Sequence, residues 1–322
     1  MLFKFKAVPL FDHHQIDDLL KQETEFWNKQ KEGNIEQVFF DFSEAATLTV
    51  SNILFIKRIL YLLRGSGIRC TAEYGKDTEH KKFIRGILET MGLLKPRMKS
   101  ADIETYLDSF RVPVQTCMNG NESLTAVNKK LMPIIKKECG SNDAIFKAVN
   151  WILWEIVDNA GNHGYRTFTF EHNYPKPVFF CAYAYEDFID VSVLDMGQGM
   201  QASFLNSGKE KYRNITNEQA LRLSIQDKES GNPTGSPGFG LYGCSEIVRQ
   251  SKGRLIIISG TNRLIQEGQD FHMFSCYNLT GTLVSIRIPA KFALDLKGIF
   301  SENSLIITED IDSLFGDFNE EK

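Results

Sequence analysis

Glu155 and Asn159 stand four residues apart in segment 151–165, where the spacing of apolar residues predicts a helix. At about 100° per residue they lie only about 40° apart around the axis, one turn along the same side. A carboxylate so placed can take a proton from an attacking hydroxyl, and a neighbouring amide oxygen can ligate Mg²⁺. The pair also reads as two solvated polar positions on an amphipathic helix, where such spacing is common. A second group is Asp195, at the end of an apolar run, followed by Gly197 and Gly199. An Asp there can accept a hydrogen bond from the exocyclic amine of a base, and glycines let backbone approach a ligand closely. A plain strand-end turn uses the same residues. The third group, Gly238 and Gly240, belongs to a glycine-rich loop opening a helix. Amides at a helix start suit an anion such as phosphate, although a lone Gly-x-Gly is more often only a loop.

The elements that position these groups are legible from pattern. A helix starts at Ser141 or Asn142 as N-cap and runs to Gly164, a fitting C-terminal stop. Its residues Ile145, Val149, Ile152, Ile156 and Ala160 form one apolar stripe, with Glu155 and Asn159 on the border. Another helix is expected at about 123–137. Strands are predicted at 178–185 and 188–194 as a hairpin, then at 254–259, 273–277 and 282–288 after a helix at 240–251. The polar stretch 206–238 breaks the pattern except for a short helix near 218–225. Helices followed by antiparallel strands read as α+β. Upstream, strands at 2–8, 38–42 and 68–74 alternate with helices at 16–27, 50–63 and 78–94, an α/β arrangement. Residues 97–112 are polar and lack periodicity, so the expected division is 1–110, 111–290 and an acidic tail, 291–322. That tail mixes acid with Phe315 and Phe318, which reads as a partner anchor or as a frayed end.

In this order, Glu155-x-x-x-Asn159, Asp195-x-Gly197-x-Gly199 and Gly238-Phe239-Gly240-Leu241 resemble the nucleotide-binding boxes of the GHKL superfamily, that of gyrase, histidine kinases and MutL. Gly281-Thr282, entering the last strand, is similar to the family's closing element. The resemblance covers roughly residues 120–290, and the joint occurrence is far more specific than any single box. It implies the Bergerat fold, an α/β sandwich that binds ATP with Mg²⁺. By the same resemblance Glu155 is the general base and Asn159 the Mg²⁺ ligand. Asp195 reads the adenine amine, with Gly197 and Gly199 shaping the turn and Thr282 backing it. Gly238, Gly240 and Leu241 face the phosphates under a mobile lid at about 206–238. His163 is placed either near the phosphates or as a packed helix-end residue. Lys209, Lys211, Arg213 and Lys228 either touch phosphate or are solvated loop charges.

Composition narrows the class. The chain has 322 residues, 42% hydrophobic and 24% charged, with a net charge of −4. At roughly 150 residues per domain that suggests two globular domains. The negative charge argues against a whole-molecule nucleic-acid binder. No apolar run approaches the ~20 residues of a membrane helix, and no signal peptide is visible. The cytoplasm is the expected compartment. Six cysteines lie scattered without a Cys-x-x-Cys pair, so they are expected to be buried apolar residues rather than a zinc site or disulfide frame.

The run Asn159-Ala160-Gly161-Asn162-His163-Gly164-Tyr165 resembles the Asn-Ala-x-x-His-Gly-Tyr of bacterial anti-sigma-factor serine kinases. Residues 41–63 and the Leu88-x-x-x-Gly92-Leu93 helix end are similar to a STAS domain, the fold of anti-sigma-factor antagonists. That resemblance makes Ser51 the place of a phosphoacceptor, although the usual Asp-Ser-Ser-Gly reads Thr49-Val50-Ser51-Asn52 here. Ser51 reads equally as a helix N-cap. The expectation is a Mg²⁺- and ATP-dependent ATPase or protein serine/threonine kinase acting on a protein partner, with a homodimer as an open alternative. Two rivals stand beside it: an ATP-gated binding switch, and an ATPase subunit of a multi-protein defence or stress system.

Overall fold

The computed structural model describes residues 1–6, 14–33, 35–45, 48–75, 79–90, 93–94, 114–117, 120–133, 136, 143–164, 177–184, 187–227, 229 and 240–290. The expected boundary at 97–112, Gly238, Lys228 and the tail 291–322 lie outside them, as does the side chain of His163. The described residues are mixed α/β and form two sheets.

The first sheet is parallel and three-stranded, in the order β1 (Leu2–Lys6), β2 (Gln37–Asp41), β3 (Arg69–Glu73). Helices α1 (His14–Glu32) and α2 (Val50–Gly65) make the crossovers, and α3 (Glu79–Thr90) follows β3. Thr49 caps α2 by accepting a hydrogen bond from the Asn52 amide at 3.3 Å. Ser51 is therefore not the N-cap; it lies inside the first turn. The expected helix stop is real, with Gly67 at φ 72° just beyond the end.

The second sheet is antiparallel and five-stranded, in the order β4 (Gln115–Cys117), β5 (Val178–Ala184), β6 (Phe188–Asp195), β8 (Asp270–Pro289), β7 (Arg254–Glu267). Helices α4 (Gly120–Ala126, continued by a π-turn at Val127–Leu131) and α5 (Asp143–Gly164) precede β5. Helices α6 (Gly199–Leu205), α7 (Asn217–Ser224) and α8 (Gly240–Ser251) separate β6 from β7. On one face, called the front, Phe180, Val191, Val193, Ile257 and Val284 pack under the α5 stripe and under Ile247 and Val248 of α8. The whole expected stripe, from Ile145 to Ala160, is buried.

Two features depart from the sequence expectation. The strands expected at 254–259, 273–277 and 282–288 are two long strands. A two-residue turn with Gly268 at φ 56° joins them, and a bulge interrupts the pairing near Gly260. Residues 206–227 are also more regular than expected, with a 3-10 turn at Glu210–Tyr212 ahead of the expected short helix, here α7. Thr216 and Gln219 form a capping box at the start of α7, and Tyr212, Ile215, Ala220 and Leu221 are buried.

The back face of the large sheet is covered by the N-terminal region. Phe179, Cys181, Leu194, Ile256, Ile258 and Leu283 share one core with Ile53, Leu54, Phe55 and Ile59 of α2 and with Leu20 of α1. Arg263 of β7, almost fully buried, bonds Asp17 of α1 at 2.6 Å. Helix α2 thus lies between two sheets, which accounts for its being apolar nearly all round. Of the described cysteines, Cys117, Cys181 and Cys244 are buried as expected, whereas Cys70 and Cys276 are half-buried. No described helix is long and apolar enough to cross a membrane.

Candidate functional site

Glu155 and Asn159 are half-buried on α5, at the border of its apolar stripe. Helix α8 packs against α5 so that Gly240, its first residue, abuts them. A Cβ on Gly240 would collide with Glu155 Oε2 and come within 3.2 Å of Asn159 Nδ2. Glycine is what permits this approach. The first turn of α8 consequently stands beside a carboxylate and an amide, and a carboxylate there is a group able to accept a proton.

The environment tunes Glu155. Burial, assisted by the charge of Asp158, raises its pKa from 4.5 to about 7. Cys244, one turn into α8, has its thiol pushed well up, by burial first and then by the charge of Glu155. Leu241, next to Gly240, packs against the front core and is half-buried.

The second cluster forms where β6 ends. Asp195 and Thr282 face each other across the β6–β8 ladder. By strand alternation both belong to the front face with Val193 and Val284, the face beneath α5. Asp195 Oδ1 accepts the Gly197 amide at 2.7 Å, closing a turn that leads directly into α6 at Gly199. Gly281, at φ 101°, passes so close behind this turn that a Cβ there would collide with the Asp195 carbonyl. No other residue type fits that crossing.

Sequence reasoning missed the residue that ties this cluster together. Ser259 of β7 is fully buried; its hydroxyl accepts the Met200 amide at 2.9 Å and donates to the Gly281 carbonyl at 3.0 Å. It also lies 3.3 Å from Thr282 Oγ1. Nothing in the local sequence marks it, since its role exists only once β7 pairs with β8. Ser259→Ala is expected to cost about 1–3 kcal/mol, because the Met200 amide is left buried and unpaired. A lower unfolding midpoint, with faster hydrogen exchange at the Met200 amide, checks it.

The structure thus brings Glu155, Asn159 and Gly240 together, and separately Asp195, Gly197, Gly199 and Thr282, all on the front of one sheet. Ser51 is elsewhere. It is buried on the back face, where its hydroxyl donates to Ser285 at 2.9 Å, and Ser192 in turn donates to Ser285 at 2.7 Å. A kinase reaches that hydroxyl only if α2 leaves the sheet. Of the basic residues expected near phosphate, the three that are described have partners: Lys211 pairs with Glu229 and Arg213 with Glu210, while Lys209 lies over the Tyr212 ring.

No known protein-family model matches the chain, and no curated protein matches its sequence.

Proposed function

We propose that the chain is a Mg²⁺- and ATP-dependent enzyme of the GHKL type, an ATPase or a protein serine/threonine kinase, that regulates a protein partner. The observation that carries this reading is the seating of Gly240 against Glu155 and Asn159, which joins two of the three resembling segments at one place. ATP fits the residues present. Asp195 and Thr282 offer an acceptor and a hydroxyl for the base, and the glycine start of α8 offers backbone amides for phosphate. Asn159 supplies the oxygen donor that Mg²⁺ favours, and the bound ion would neutralise phosphate charge. Glu155, with a pKa near neutrality, accepts the proton of an attacking water or hydroxyl as its oxygen bonds the γ-phosphorus, while the bond to the β–γ bridging oxygen breaks and ADP leaves.

A second reading, an ATP-gated switch, is favoured by where α2 docks. The strands β6 and β8 carry Asp195 and Thr282 on the front, and Ser192 and Ser285 against Ser51 on the back. A ligand that rearranges the front would have to bind one docking state of α2 better than another to shift it.

Incubation of the protein with Mg²⁺ and γ-labelled ATP, beside Glu155→Ala and Asn159→Ala, tests both readings. Label transferred to protein, or phosphate released, and lost in both variants, supports the enzyme. ATP binding without turnover favours the switch. Absence of any ATP binding by the wild-type chain rejects both.

A further inference from the structure

The bonds of Ser259 fix where the protons lie around Thr282. A serine hydroxyl has one proton to give and two lone pairs to receive. At Ser259 the Met200 amide donates to one lone pair at 2.9 Å, and the proton goes to the Gly281 carbonyl at 3.0 Å. Thr282 Oγ1 lies 3.3 Å from the same oxygen, and by distance alone either hydroxyl serves as donor there. The inventory decides between them. The Ser259 proton is engaged in the shorter bond to a backbone carbonyl, so Thr282 donates and the remaining lone pair of Ser259 accepts.

The surroundings leave this hydroxyl little freedom. Ser259 is fully buried on β7, opposite Thr282 in the ladder. Its carbonyl accepts Nδ2 of Asn217, the first residue of α7, at 2.7 Å, and the same side chain reaches Asn262 Oδ1 at 3.1 Å. A Cβ on Gly199 would stand 3.0 Å from the Ser259 hydroxyl, so that side is closed too. A buried hydroxyl whose proton and lone pairs are all used holds one orientation.

A threonine that gives its proton to Ser259 offers only lone pairs to a ligand. Asp195, opposite Thr282 on the same face, is an acceptor as well. Residues directly opposite on one face have Cβ atoms about 4.5–5.5 Å apart, so one small group can touch both. Two acceptors side by side take an amino group, which has two N–H donors, and refuse an oxo group, which has only lone pairs. We infer that Ser259 is a positioning residue for the base: by holding Thr282 as an acceptor it makes the site select a 6-amino purine over a 6-oxo purine. The inference rests on the nucleotide reading above. It adds that the choice of base depends on a residue beside Thr282 and not on Asp195 and Thr282 alone.

The test is the affinity of the full chain for ATP and for GTP, measured for the wild type, Ser259→Ala, Thr282→Val and the double variant. The wild type is expected to prefer ATP. Ser259→Ala frees the Thr282 proton to turn toward the ligand, so the preference should fall by about tenfold, the worth of one hydrogen bond. In the Thr282→Val background the serine change should leave the preference as it is. Circular dichroism checks that each variant is folded. Ser259→Cys, nearly the same size with a weak donor and acceptor, is measured alongside and should lower the preference in the same direction. A Ser259 that is only structural would weaken both nucleotides equally, and an unchanged ratio in Ser259→Ala and Ser259→Cys overturns the inference. A fall that persists in the Thr282→Val background overturns it too, because the effect then does not pass through Thr282. A wild-type chain that binds neither nucleotide fails at the earlier step and rejects the nucleotide reading itself.

Discussion

Glu155→Gln is expected to lower phosphoryl transfer or ATP hydrolysis by about 10²–10⁴-fold while leaving nucleotide binding nearly unchanged, because the amide keeps the shape but cannot take a proton. The wild-type rate should rise with pH through a midpoint near 7, where Glu155 ionises, and the variant should lack that limb. Stability moves the opposite way. The folded chain holds this proton up to about pH 7, whereas the group ordinarily releases it near 4.5. Between those values the folded state binds more protons than the unfolded one, so wild-type stability falls as pH rises, by about 3 kcal/mol for this group. Glu155→Gln removes the buried charge, and its unfolding midpoint should exceed the wild-type one at pH 8 and match it below pH 4.5. A variant that keeps wild-type turnover would remove Glu155 from the reaction. A variant that loses turnover without the stability gain would mean that the carboxylate is better solvated than its position indicates.

The largest expected loss of stability lies far from that site. Arg58 of α2 and Glu23 of α1 are both buried, and one guanidinium nitrogen bonds both carboxylate oxygens at 2.7 Å. The Trp27 indole donates to the same carboxylate at 3.3 Å. Glu23→Ala strands a buried cation between the helices and should cost about 3–5 kcal/mol. Replacing both partners, Glu23→Leu with Arg58→Met, should recover most of that loss, since two well-packed apolar side chains carry no desolvation cost. Denaturant unfolding of the single and double variants checks it. A double variant as unstable as Glu23→Ala would show that packing around the pair matters more than the stranded charge. Because α1 and α2 also cover the back of the large sheet, the single variant should loosen the cover over Ser192 and Ser285 first.

Much of the local structure was legible from pattern. The α5 stripe, the run of α8 from Gly240, the hairpin of β5 and β6 and the stop of α2 depend on residues within a few positions of one another, and periodicity and capping report such relations directly. Helix α6 escaped because seven residues after a glycine turn leave too short a period to detect. The long β7–β8 ribbon escaped because polar residues such as Thr261, Asn262 and Asn278 interrupt the apolar alternation on which strand prediction rests. One global fact was available in the sequence and unread. Helix α2 is apolar nearly all round, which already required cover on more than one side.

For the candidate site, the sequence alone determined which residue types are present and their order: a carboxylate and an amide one helical turn apart, an acid at a strand end, and glycines where backbone must come close. Each is a property of a short segment and survives translation into structure. Only the tertiary structure decided what meets what. It seats Gly240 against Glu155, sets Thr282 opposite Asp195, places Ser259 beside Thr282, and buries Ser51 on the far face of the same strands. These relations come from strand pairing and helix packing between segments far apart in the chain. Burial and hydrogen bonding act through space, so a residue's local neighbours carry almost no record of them.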